Sequence, residues 1–131
     1  MVKLENNLES KKIKIGILGG SFDPAHKGHL SISKKAKKTF KLKNIIWAIT
    51  KQNPFKKKSK LSLKDRIKFA KKLVGKNTFI KVRFYEKKIN SNRTLNLIKY
   101  LNKNKKFKIF LIMGADNLVN FHKWYKWKSI I

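Results

Sequence analysis

Short apolar, β-branched runs alternate along this chain with longer stretches in which apolar residues recur every three or four positions among lysines. The first pattern predicts strands at Lys14 to Leu18, Asn44 to Ile49, Phe79 to Phe84 and Lys108 to Ile112. The second predicts helices over Gly28 to Phe40, Ser62 to Val74 and Arg93 to Asn102. Ser62 followed by Asp65 is a helix-start signal, and Leu63, Ile67, Ala70, Leu73 and Val74 form the apolar stripe of that helix. Strand and helix in alternation imply an α/β fold, a parallel sheet with helices on both faces. Such sheets bind ligands at the carboxyl edge of their strands.

Composition adds few constraints but one rival reading. At 131 residues the chain is expected to form one domain, 13–131, behind a polar tail, 1–12. It has no cysteine, so no disulfide or thiolate metal site, which fits a reducing cytoplasm. The tail lacks an apolar core, so neither signal peptide nor membrane anchor is expected. The formal net charge of +29 implies salt-dependent, non-specific binding of polyanions. Yet only three of the 35 basic residues are arginine (Arg66, Arg83, Arg93), whereas dedicated nucleic-acid binders use arginine for bidentate contacts. The lysine excess, with abundant Ile and Asn, reads instead as compositional bias.

The chemistry concentrates in Gly19-Gly20-Ser21-Phe22-Asp23-Pro24-Ala25-His26-Lys27-Gly28-His29-Leu30, where the first strand passes into the first helix. Glycines there allow close approach of backbone to a ligand. The helix N-terminus offers unpaired N–H groups to an anion, and His26 and His29 add side-chain donors. The pattern is neither a Walker loop nor a GxGxxG fingerprint. A phosphate site is the expected result. Asp23, before proline, is read as a structural turn residue.

This segment resembles the (T/S)-F-D-P-x-H-x-G-H signature of the nucleotidylyltransferase superfamily. Met113 to Trp124 is similar to the G-A-D-N-L-x-x-F-H-x-W element of bacterial nicotinate mononucleotide adenylyltransferases, and Lys51 to Lys56 to a Q-N-P-x-K loop in one branch of them. The resemblance runs from about Ile13 to Ile131 and implies a Rossmann-like fold that transfers an adenylyl group from ATP to nicotinate mononucleotide, giving deamido-NAD and pyrophosphate. It implies His26 and His29 on the ATP phosphates, and Gly19, Gly20, Ser21, Phe22, Gly114 and Asp116 around the nucleotide. It implies Trp124 stacked on the acceptor's pyridine ring; Lys56, in a lysine run otherwise read as a solvated loop, is a candidate for the acceptor's phosphate, and Thr94 for a donor to the nicotinate carboxylate. Mg²⁺ is expected to arrive with ATP, since no carboxylate cluster is available to hold it. Asp116 and Thr94 each have a second reading as helix caps, while Trp47 and Trp127 read as packing and His122 has no assigned role.

Family members continue through another strand, further helices and an S-x-T-x-x-R motif that this sequence does not contain. Arg93 stands in another place, where the family usually has tyrosine. Two alternatives therefore accompany the reading: a catalytically impaired piece of the fold that binds nucleic acid non-specifically, and pantetheine-phosphate adenylyltransferase, which usually has threonine at the position of His26.

Overall fold

The computed structural model describes residues 12–52, 58–114 and 121–130. Strand β1 (Ile13–Gly20) turns into helix α1 (Lys27–Phe40), followed by β2 (Asn44–Ile49), α2 (Leu63–Val74) and β3 (Ile80–Arg83). A one-turn helix α3 (Glu86–Ile89), α4 (Thr94–Asn102), β4 (Phe107–Ile112), a 3-10 turn (Phe121–Lys123) and the short α5 (Trp127–Ile130) follow.

The strands pair in parallel in the order β3-β2-β1-β4, with Ile17 of β1 level with Ile46 of β2 and Leu111 of β4. Alternation along each strand sends successive residues to opposite faces. Leu18, Ile45, Trp47, Ile49, Ile80 and Val82 pack with Ala36 of α1 and Ala70 and Val74 of α2. Ile15, Ile17, Ile46 and Ala48 pack on the other side with Leu97, Ile98 and Leu101 of α4. Both faces are therefore covered, and strands buried on both faces carry the unbroken apolar runs read in the sequence. Ser62 caps α2 by accepting Asp65 N–H at 3.1 Å, and Gly75 closes that helix at φ 50°.

Most observed boundaries lie within one residue of the predicted ones, and the larger departures are instructive. β1 continues through Gly19 and Gly20, which stand level with Ala48 and Ile49 of β2, and the Gly20 carbonyl accepts Thr50 N–H at 2.9 Å. Those glycines lie on the strand, not in the turn. β3 is shorter than Phe79 to Phe84, because only Ile80–Arg83 pair with β2. The four residues of α3 are too few for a helical period to register in the sequence.

One side chain ties the carboxyl edge together. Arg66, on the first turn of α2, is 2 % exposed and donates to four main-chain carbonyls. Nε reaches Leu61 at 3.2 Å, Nη1 reaches Ser21 at 2.8 Å and Thr50 at 2.7 Å, and Nη2 reaches Lys51 at 2.7 Å. The segments leaving β1 and β2 and the approach to α2 thus meet on one guanidinium. A lysine has three donors on a point charge and cannot reproduce this planar fork. Arg66→Met should lower unfolding stability by about 2–4 kcal/mol, the scale of stranding several buried carbonyls, with Arg66→Lys in between. Denaturant titration measures both, and a Met variant as stable as the parent would show that water replaces the fork.

Candidate active site

The turn after β1 sets both histidines by using them as the helix cap. His26 is the N-cap of α1 in extended conformation, and its Nδ1 accepts Gly28 N–H at 3.0 Å. His29 reaches back, its Nδ1 accepting His26 N–H at 3.0 Å. The pair forms a capping box in which imidazoles replace the usual hydroxyl and carboxylate. An Nδ1 that accepts a backbone N–H carries no proton, so each neutral ring bears its hydrogen on Nε2. Gly28 makes this possible. A Cβ there would stand 2.7 Å from Cε1 and 2.9 Å from Nδ1 of His26.

Behind the cap lies a stack of rings. Centroids are 4.1 Å apart for His26 and His29, 4.5 Å for His29 and Phe22, and 5.1 Å for Phe22 and Trp47. The fully buried Trp47 donates through Nε1 to Ser33 Oγ at 2.8 Å, and that hydroxyl donates to the His29 carbonyl at 2.7 Å. Phe22 occupies φ 51°, a conformation costly for a bulky residue. Its ring, 2 % exposed between Trp47 and His29, offsets that cost by burial. Asp23, joined to Pro24 by a cis peptide, accepts Lys60 N–H at 2.6 Å and Leu61 N–H at 2.9 Å. These two N–H groups, with a smaller contribution from the Arg66 charge, hold its carboxyl below the ordinary carboxylate value. The structural reading of Asp23 holds, although it clamps a loop distant in sequence and not only its own turn.

Two cavities of similar size open at the carboxyl edge and share Gly19 and Gly20 as a common wall. One, about 520 Å³, gathers Ser21, Phe22, His26, His29 and Gly114. The other, about 530 Å³, gathers Thr94, Trp124, Arg93, Tyr85 and Glu86. The predicted nucleotide and acceptor residues thus fall into separate but adjoining spaces. Lys56 and Asp116 lie outside the described residues. Thr94 does not cap α4: Arg93 holds that position and makes no side-chain cap bond, so the capping reading of Thr94 is corrected. Trp47 packs in the core as expected. Trp127 is half-buried, edge-on to Phe121.

Residue-by-residue reading of the sequence missed three contributors. Arg66 holds the loops, and Glu86 accepts from the Thr50 hydroxyl and, at 3.0 Å, from Lys51 N–H. Arg93 lines the cavity of Thr94 and Trp124, its guanidinium carbon 4.0 Å from the Tyr125 ring centroid. Arginine in a chain so biased to lysine was the available signal for two of them. Tyr85 also lines that cavity, and burial raises its phenol above the ordinary value, keeping it neutral. Among the described residues no cluster of three or more His, Cys, Asp or Glu could hold a metal, and no helix is long and apolar enough to cross a membrane.

Residues 17–131 match the family model described as cytidylyltransferase-like. A probable nicotinate-nucleotide adenylyltransferase of Pelagibacter ubique is 76 % identical over all of this chain and 73 % of its own length. The chain belongs to this family. A probable nicotinate-nucleotide adenylyltransferase of Agrobacterium fabrum is 42 % identical over 88 % of the chain, which spans 63 % of that relative. The fold is also that of a solved Plasmodium falciparum nicotinic acid mononucleotide adenylyltransferase complexed with NaAD, at TM-score 0.77 and 17 % identity, covering 91 % of this chain and 60 % of the other. Two glycines and two histidines at the carboxyl edge of β1 are thus set in a nucleotidyltransferase framework.

Gly28→Ala should push the His26 imidazole off its N–H partner, with a loss of about 1 kcal/mol, the worth of an N-cap, while α1 persists. Shifted His26 ring resonances with unchanged helical circular dichroism would be the signature, and an unmoved ring would refute the packing argument. The Asp23 clamp makes a second expectation. A carboxyl depressed in the folded state contributes stability fully present above its unfolded value, about 4, and lost as pH falls through the folded value. Amide exchange at Lys60 and Leu61 should accelerate as the pH drops below that range, beyond the intrinsic rate change. Asp23→Asn should exchange faster at neutral pH and lose this extra acid dependence.

Proposed function

We propose that the protein transfers the adenylyl group of ATP to nicotinate mononucleotide, yielding deamido-NAD and releasing pyrophosphate. The observation that carries this reading is the junction of the two cavities at Gly19 and Gly20. ATP lies on the histidine side and the mononucleotide on the Trp124 side, so an acceptor phosphate oxygen attacks the α-phosphorus over a stretch of strand without side chains. Pyrophosphate leaves in line from the opposite side. Transfer of this kind asks chiefly for placement and for offsetting charge on the non-bridging oxygens.

His26 and His29 supply Nε2–H donors for those oxygens, their Nδ1 atoms being committed to the cap. Backbone at Gly20 to Phe22, with Gly114, borders the nucleotide. From the sequence, Asp116 is assigned to a ribose and Lys56 to the acceptor phosphate, while Thr94 donates to the nicotinate carboxylate and Trp124 stacks on the pyridine ring. Mg²⁺ enters as part of the nucleotide and supplies Lewis-acid stabilisation when bound. The lysine-rich surface raises the local concentration of anionic substrates, an effect that salt weakens.

Because His29 is also a cap, removing its whole ring confounds chemistry with folding. Asparagine separates them: its Oδ1 can accept the His26 N–H in place of Nδ1, but no donor remains at the Nε2 position. His29→Asn should keep the melting temperature within a few degrees and reduce adenylyl transfer by roughly a hundredfold, the scale of one transition-state donor. Pyrophosphate release with ATP, Mg²⁺ and nicotinate mononucleotide measures it. Undiminished transfer would remove His29 from the chemistry, and a chain that binds neither substrate would overturn the reading.

A further inference from the structure

We infer that Glu86 is a positioning residue: by clasping the two residues that follow β2, it shapes the cavity of Thr94 and Trp124 for the acceptor mononucleotide. The inference rests on the adenylyl-transfer reading and adds a determinant of acceptor affinity that stands outside the reacting atoms. Glu86 and Thr50 both line that cavity, and neither lines the histidine side. The chain runs on from Lys51 to Lys56, assigned from the sequence to the acceptor's phosphate.

Thr50 and Lys51 lie just past β2, yet every polar main-chain atom of both is engaged. Thr50 N–H donates to the Gly20 carbonyl at 2.9 Å, and the Thr50 and Lys51 carbonyls each accept from Arg66 at 2.7 Å. Glu86 supplies the rest: Oε2 accepts the Thr50 hydroxyl and Oε1 accepts Lys51 N–H at 3.0 Å. The two grips come from different layers. α2, which carries Arg66, packs on one face of the sheet, while Tyr85, next to Glu86, packs on the other with Leu97 and Ile98 of α4. Glu86 therefore fixes the segment against the helical layer that also carries Thr94. A carboxylate suits this place because it accepts twice and offers no donor against Lys51 N–H, and its charge strengthens both bonds. An unengaged negative charge lining a cavity for an anionic acceptor would repel it. With each oxygen turned to a donor of the wall, Glu86 acts on the acceptor through Thr50 and Lys51.

Calorimetric titration with nicotinate mononucleotide and, separately, with ATP and Mg²⁺ tests this in the parent, Glu86→Ala, Glu86→Gln and Thr50→Val. Glu86→Ala should weaken the mononucleotide roughly tenfold, the scale of one hydrogen bond to a charged group, leave ATP nearly unchanged and speed amide exchange at Lys51. Glu86→Gln, which keeps an acceptor for Lys51 N–H, should restore most of the affinity. Thr50→Val combined with Glu86→Ala should cost no more than Glu86→Ala alone, because the two remove one interaction. Should Glu86→Ala fail to fold, Glu86→Gln and Thr50→Val carry the same contrast between ligands with smaller losses. A lowered melting temperature with mononucleotide affinity intact would leave the clasp merely structural. Equal weakening of both ligands would make it a general support of the sheet edge, and tighter mononucleotide binding in Glu86→Ala would show direct repulsion. Each of these overturns the inference while the transfer reading stands. A parent chain that binds neither ligand would overturn both.

Discussion

Two segments leave the carboxyl edge of this sheet after β1 and β2 and a third leads into α2, and the Arg66 guanidinium gives their carbonyls a shared partner. Buried carbonyls without donors would each carry a desolvation cost. A charge buried without a carboxylate would carry a larger one, were its N–H groups not occupied. Each therefore solves the other's problem. The resulting clamp sets where Ser21, Thr50 and Lys51 leave their strands. It thereby sets the wall shared by the two cavities and the entry into the histidine turn.

The histidine turn compounds fold and chemistry in the same atoms. Nδ1 of each imidazole is occupied by a backbone N–H, which selects the tautomer and aims the ring, while Trp47, Ser33 and Phe22 brace it from behind. The capping bonds that begin α1 also prepare Nε2 as donor. That economy has a consequence for mutagenesis: deletion of either ring perturbs helix and site together, and only replacements that keep an acceptor in the Nδ1 place can separate the two.

Charge is distributed with similar constraint. Against 35 basic residues stand six acidic ones, and Asp23 and Glu86 are bound to main-chain N–H groups that hold loops at the carboxyl edge. Six carboxylates offset only a small part of 35 basic side chains, so the surface stays strongly positive and attracts anions. Short-range donors stand on both sides of Gly19 and Gly20: the histidine pair lines one cavity and Arg93 the other.

Much of this was legible in one dimension. The four strands, the three longer helices and coverage of both sheet faces follow from period and local capping chemistry, which depend on neighbours a few residues away. Ser62 and Asp65 were read correctly for that reason. The four-residue α3 and the extension of β1 through Gly19 and Gly20 were not, because the first is shorter than its own period and the second depends on pairing with β2. The rarity of arginine marks Arg66 and Arg93, yet the roles of these two and of Glu86 stay hidden for a deeper reason: their partners lie up to 45 residues away or in a cavity formed only when several segments converge. The sequence by itself determined the longer elements and that two histidines would stand where β1 passes into α1. Only the tertiary structure decided which arginine is buried, which lines a cavity, and that two adjoining cavities meet at a pair of glycines, since those are properties of distances that no local pattern encodes.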